Sequence, residues 1–148
     1  MKRFIMLSLL LLAQTAMAAD INIKVEDAWI RATAPGQQVA GAYMQITSPV
    51  NATLLKVQSP VAGRMEIHLM RMNHGVMEMR EVQTLALPKG ETVKLVPGGF
   101  HLMLFDLKQP FKGGETVPIK LIIQMPDKKR ETVKVVAQVR ALSGQMVH

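Results

Sequence analysis

Glu131-Thr132-Val133-Lys134-Val135-Val136-Ala137-Gln138-Val139-Arg140 decides how the rest of the chain is read. Val133, Val135, Ala137 and Val139 fall on one side of a strand of period two, opposite Lys134, Gln138 and Arg140, so one face is buried and the other is wet. The run from Thr116 to Met125 lies just before it across a short polar loop, and the pair Thr116 to Met125 and Glu131 to Leu142 reads as a β-hairpin. Working back toward the N-terminus, turn signals recur at short intervals: Pro97-Gly98-Gly99, Pro88-Lys89-Gly90, Asn73-His74-Gly75, Ser59-Pro60, Ser48-Pro49 and Ala34-Pro35-Gly36. Between them lie β-rich runs such as Val25 to Arg31 and Val39 to Thr47, and no long apolar stripe of period 3.6 interrupts the series. The expected fold class is all-β, a sandwich or barrel in a single domain, because no linker-like or low-complexity stretch divides the chain.

Phe100-His101-Leu102-Met103-Leu104-Phe105 reads as another strand. Alternation puts His101 and Met103 together on one face, with Phe100, Leu102 and Leu104 on the other. Met65-Glu66-Ile67-His68-Leu69-Met70 alternates in the same way, with Ile67 and Leu69 toward the core and Glu66, His68 and Met70 facing away. Met79 lies between the charged residues Glu78 and Arg80. Methionine more often fills gaps in a core, but Met103 is out of phase with its apolar neighbours and His68 is out of phase with Ile67. Two thioethers and two imidazoles make a soft to borderline donor set that favours Cu(I) over Zn²⁺, Mg²⁺ or Ca²⁺. His68, Met79, His101 and Met103 are therefore the candidate metal ligands, and two packed sheets would let them meet at one end of the sandwich. Glu66 reads chiefly as a solvated surface carboxylate, with orientation of His68 as its other reading. Met70, Met72, His74 and Met77 fall in the expected loop between the first two ligands, as contacts for copper transfer or as a cap on the end of the sandwich.

Lys2 and Arg3 precede an apolar run from Phe4 to Leu12 and then Ala16-Met17-Ala18, the order of a secretory signal peptide over residues 1–18 with cleavage before Ala19. The apolar run is short for a bilayer span, so a retained membrane anchor is the minor reading, and an exported domain of residues 19–148 without stable membrane insertion is expected. The chain has no cysteine. That suits a protein holding Cu(I) where thiolates oxidise, and it excludes a blue-copper electron carrier, which needs a thiolate ligand. Removing Lys2 and Arg3 lowers the formal charge from +7 to +5. Part of that charge sits at Lys128-Lys129-Arg130, and with one Trp, one Tyr and four Phe the chain lacks the stacking aromatics of a nucleic-acid surface. No nucleic acid is expected as a partner.

The spacing His68-x10-Met79-x21-His101-x-Met103 resembles the signature of the periplasmic copper chaperones of the PCuAC type. So do Ala28-Trp29-Ile30-Arg31-Ala32-Thr33-Ala34-Pro35-Gly36, Gly41-Ala42-Tyr43-Met44 and Pro97-Gly98-Gly99-Phe100-His101-Leu102-Met103-Leu104, and the resemblance spans nearly all of residues 20–142. It implies a cupredoxin-like Greek-key β-sandwich holding one Cu(I) per chain through His68, Met79, His101 and Met103. It also implies transfer of copper toward cytochrome oxidase, often alongside a Sco-type thiol protein. The chain is expected to be a monomer and, with no Ser/His/Asp nucleophile arrangement or phosphate-binding Gly loop in the sequence, not an enzyme. Relatives with a His- and Met-rich tail bind Cu(II); here only Met146 and His148 follow the last strand.

Imidazole must be neutral to bind a metal, and an unperturbed histidine titrates near pKa ~6.5, so cuprous binding is expected to weaken as pH falls through that region. Two rival readings remain. One is a metal-free, Met-rich module that docks another exported protein. The other is a copper oxidase or zinc hydrolase, for which a third protein ligand of the usual zinc type is not evident.

Overall fold

The computed structural model describes residues 21–141. The expected signal peptide, its cleavage point at Ala18 and the tail residues Met146 and His148 lie outside the described residues. All elements among the described residues are strands: β1 Lys24–Arg31, β2 Ala40–Thr47, β3 Ala52–Gln58, β4 Ala62–Asn73, β5 Val76–Val82, β6 Leu85–Leu87, β7 Thr92–Leu95, β8 Phe100–Leu107, β9 Thr116–Gln124 and β10 Arg130–Arg140. They form one hydrogen-bonded path in the order β5-β4-β8-β2-β1-β10-β9-β3-β6, with β7 also on β2. The all-β expectation holds. The two layers expected of a sandwich are drawn from one continuous sheet folded over a common core, instead of from two separate sheets.

The C-terminal hairpin shows why the alternating residues take this form. Val133, Val135 and Ala137 of β10 lie opposite Leu121, Ile119 and Val117 of β9, and all of them point into or against the core cluster. Lys134, Gln138 and Arg140 on the reverse face are exposed. β10 then pairs in parallel with β1, Val139 opposite Ile30, so the last strand closes onto the first.

The same logic places the outer face that matters for function. Ile67 of β4, Leu102 and Leu104 of β8, and Ala42 of β2 are buried in the core, with Ile67 opposite Leu102 and Leu102 opposite Ala42. Each core residue fixes its neighbours in sequence to the opposite side of the sheet. His68, His101, Met103 and Gly41 are therefore presented together by packing that lies behind them.

Candidate metal centre

Three adjacent strands build the site. His68 on β4 lies directly opposite His101 on β8, and Glu66 lies opposite Met103. On the other flank of β4, Met70 lies opposite Met79 of β5, and His68 opposite Glu81. Residues directly opposite in an antiparallel pair project to the same side, so Met79, His68, His101 and Met103 share one face. Sequence reasoning put the meeting point at one end of a two-sheet sandwich. The structure puts it on a sheet face, because β4 is twelve residues long and pairs with both β5 and β8.

Two turns set the register. Between β4 and β5 only His74 and Gly75 intervene, both at positive φ (48° and 78°), the backbone of a two-residue type I′ hairpin. Met70, Met72 and Met77, expected in a loop, lie instead within strands, and only His74 of that group is in the turn. Ahead of β8, Gly99 N–H donates to the Val96 carbonyl (3.1 Å) around Pro97 and Gly98. Gly98 has φ +84°, as a type II turn requires at its third position. The Gly99 carbonyl accepts from both Met70 N–H (3.1 Å) and His101 Nδ1 (3.0 Å).

The hydrogen bonds select a different free nitrogen on each ring. A carbonyl only accepts, so His101 carries its proton on Nδ1 and leaves Nε2 bare. His68 Nε2 lies 2.7 Å from Glu66 Oε2; donation to that carboxylate leaves Nδ1 bare, and this atom is buried without any hydrogen-bond partner. Both rings are buried, with centroids 5.8 Å apart. Glu66 is thus half-buried and engaged rather than solvated. Its other oxygen accepts from Arg64 (2.8 Å), whose guanidinium lies 4.0 Å from the centre of the Phe105 ring. An ion pair this exposed adds only about 0–1 kcal/mol, so the contribution of Arg64 is to fix the carboxylate in place. Alternation had shown that Glu66 and His68 share a face, but not that the carboxylate reaches the ring.

A groove of about 450 Å³ opens over this face, lined among others by Met70, Met79, His101, Met103, Tyr43 and Gly41. Met79 is 47% exposed, whereas His68 and His101 lie beneath the surface. Tyr43, which sequence reasoning did not single out for the site, forms a wall: its ring lies 6.3 Å from His101 and 4.5 Å from Trp29. A Cβ on Gly41 would come within 2.8 Å of the Tyr43 hydroxyl, so the missing side chain opposite Met103 leaves room for that wall. His101, Met79 and Met103 line the groove, and His68 lies buried on the same face opposite His101; two bare imidazole nitrogens and two thioethers, all neutral, make a set suited to a soft monovalent cation. Among the described residues, no three of His, Cys, Asp and Glu converge to hold a harder metal.

Comparison with known proteins agrees with this architecture. Residues 23–139 match the family described as "Putative lipoprotein LpqE-like". "Putative lipoprotein Lxx21020" of Leifsonia xyli subsp. xyli is similar, with 29% identity over 110 residues, or 74% of this chain and 66% of that protein. The chain thus spans just under two thirds of the length of that relative. Among solved structures, the copper-bound PCuAC domain from PmoF2 superposes with a TM-score of 0.66 at 24% identity, over 84% of this chain and 97% of that one. The solution structure of CuI-DR1885 from Deinococcus radiodurans gives 0.60 at 30% identity, over 84% of this chain and 81% of that one. The fold is that of these cupredoxin-like PCuAC domains.

Proposed function

Because the chain belongs to the LpqE-like family and folds as a PCuAC domain does, we propose that it is an exported copper chaperone that binds one Cu(I) through His68, Met79, His101 and Met103. The observation that carries this reading is the pair of bare ring nitrogens, above all the buried Nδ1 of His68 that no protein group satisfies. A buried polar atom without a partner is uncommon in a native fold and calls for an explanation; a metal ion supplies one.

The chain's own groups divide the work of holding and releasing. His68 and His101, buried and each pinned by a second hydrogen bond, serve as fixed anchors. Met79, half in water on an edge strand, is the donor that an incoming ligand displaces first. Four neutral donors leave the ion its positive charge, and a thiolate acceptor binds Cu(I) more strongly than a thioether. Transfer to a thiol-bearing partner of the Sco type, or onward to cytochrome oxidase, is therefore downhill. Export with cleavage after Ala18, and action as a monomer in the periplasm without catalysis, complete the proposal. That the relative CuI-DR1885 holds Cu(I), as its name states, supports it.

X-ray absorption of the Cu(I)-loaded domain beside a Met79→Ala, Met103→Ala variant tests the assignment. Loss of sulfur scattering in the variant is expected; an unchanged spectrum moves the site elsewhere. A metal-free docking module would take up no stoichiometric Cu(I) at all.

A further inference from the structure

The β4–β5 hairpin carries sulfur donors that the proposed site leaves unused. Met70 lies opposite Met79 and Met72 opposite Met77, so four thioethers form a block on the face that presents His68 two residues farther down β4. Met79 belongs to the proposed ligand set. Of the other three, Met70 lines the groove, while Met72 is 63% and Met77 51% exposed.

Core packing does not account for this block. At Ile67 the reverse side of β4 is buried in the core. From Arg71 outward it is mainly polar: Arg71 lies opposite Glu78 and Asn73 opposite Val76, which is 61% exposed, and Asn73 Nδ2 donates to Glu78 Oε1 (3.2 Å). The outer part of the hairpin has left the core, with a mainly charged and amide back and an all-thioether front. Scattered exposed apolar residues are ordinary, but four in register on a wet arm are not required by the fold. Thioether sulfur is a neutral, soft donor that binds Cu(I) and discriminates against Mg²⁺, Ca²⁺ and Zn²⁺. Between Met70 and Met77 this face of the two strands offers no carboxylate, and the one imidazole of the segment, His74, lies in the turn that joins them.

We infer that Met70, Met72 and Met77 form a second, weaker cuprous position through which copper enters and leaves the inner site. The inference rests on His68, Met79, His101 and Met103 being that inner site. Met70 stands between the two positions, opposite Met79 and two residues from both His68 and Met72. Successive residues on one face of a strand are about 7 Å apart, so an ion moves between the positions by stepwise replacement of the outer thioethers by Met79, Met103 and the two imidazoles. Every donor is neutral, and the step transfers no proton and no electron.

The test is an anaerobic titration of the exported domain, labelled with carbon-13 at the methionine methyls, with Cu(I) in the presence of a competing chelator. The first equivalent is expected to shift Met79 and Met103, the second Met72 and Met77, with Met70 responding to both. A Met72→Leu, Met77→Leu variant, close in volume, should lose the second step, keep the affinity of the first, and load several-fold more slowly from a Cu(I) chelate. Unmoved Met72 and Met77 signals, or a variant that still takes two ions, overturns the outer position. Second-step shifts that depend on protein concentration mark copper bridging two molecules and overturn it too. A first equivalent that leaves Met79 and Met103 unmoved overturns the inner site instead, on separate signals, and the outer position falls with it.

Discussion

His68 and His101 face each other across two strands, yet each is held through the opposite ring nitrogen, Nε2 for His68 and Nδ1 for His101. This wiring leaves one bare nitrogen on each ring, Nδ1 on His68 and Nε2 on His101. Carboxylates that orient a metal-binding histidine typically contribute 10- to 100-fold in metal affinity. Glu66→Ala is accordingly expected to weaken Cu(I) binding by about 10-fold or more, and Glu66→Gln, which keeps an acceptor oxygen, by less; competition with a Cu(I) chelator reads both. Equal affinity in Glu66→Ala and the parent would remove Glu66 from the site. Alternation in the sequence was enough to put His101 and Met103 on one strand face and to turn His68 away from the core on its own strand, because Ile67, Leu102 and Leu104 mark the other side; the pairing of the two strands joins them on one face. It was not enough to find the Glu66–His68 bond, since period two gives direction and says nothing of side-chain reach.

At the scale of the elements, two glycine turns with the same backbone separate stability from binding. Gly98 precedes β8 and Gly90 precedes β7; both have positive φ (84° and 75°), and a Cβ at either meets nothing within 4 Å. Alanine in such a conformation costs about 1–2 kcal/mol through backbone strain alone. Gly98→Ala and Gly90→Ala should therefore lower stability alike in chemical denaturation. Only Gly98→Ala should also weaken Cu(I) binding, because Gly99 next to it holds both His101 Nδ1 and Met70 N–H. Equal copper affinities in the two variants would show that this turn merely closes a loop. Pro97-Gly98-Gly99 was visible in sequence as a turn; the Gly99 carbonyl shared by His101 Nδ1 and Met70 N–H is what ties that turn to the site. The Met-rich segment was less legible. Arg71, Glu78 and Arg80 break the hydrophobic alternation of β4 and β5, so the segment read as a loop, although Asn73-His74-Gly75 already marked the hairpin turn that makes it two strands.

Over the whole molecule, the site and the core occupy opposite faces of the same strands. The all-β fold was readable because Val133 to Val139 and the spaced turns repeat a pattern that only strands satisfy. The continuity of one sheet was not readable, since pairings such as β4 with β8 and β1 with β10 join segments far apart in the chain. Back-to-back placement predicts that fold stability and copper binding separate under mutation. Leu102, fully buried behind His101 and Met103, should cost about 2–5 kcal/mol when cut to alanine. Free Cu(I) at 100 times its dissociation constant should add about 2.7 kcal/mol to a protein that binds it only when folded, a rise of several degrees in the melting temperature for a domain of this size. Leu102→Ala is expected to melt lower but to retain that copper-induced rise. A Met79→Leu, Met103→Leu variant, similar in volume, should melt near the parent and lose most of the rise. Thermal unfolding with and without Cu(I) distinguishes these outcomes. If the Leu102 variant loses the rise while the double methionine variant keeps it, copper stability depends on the core rather than on these thioethers, and the division of the sheet into a structural face and a binding face fails.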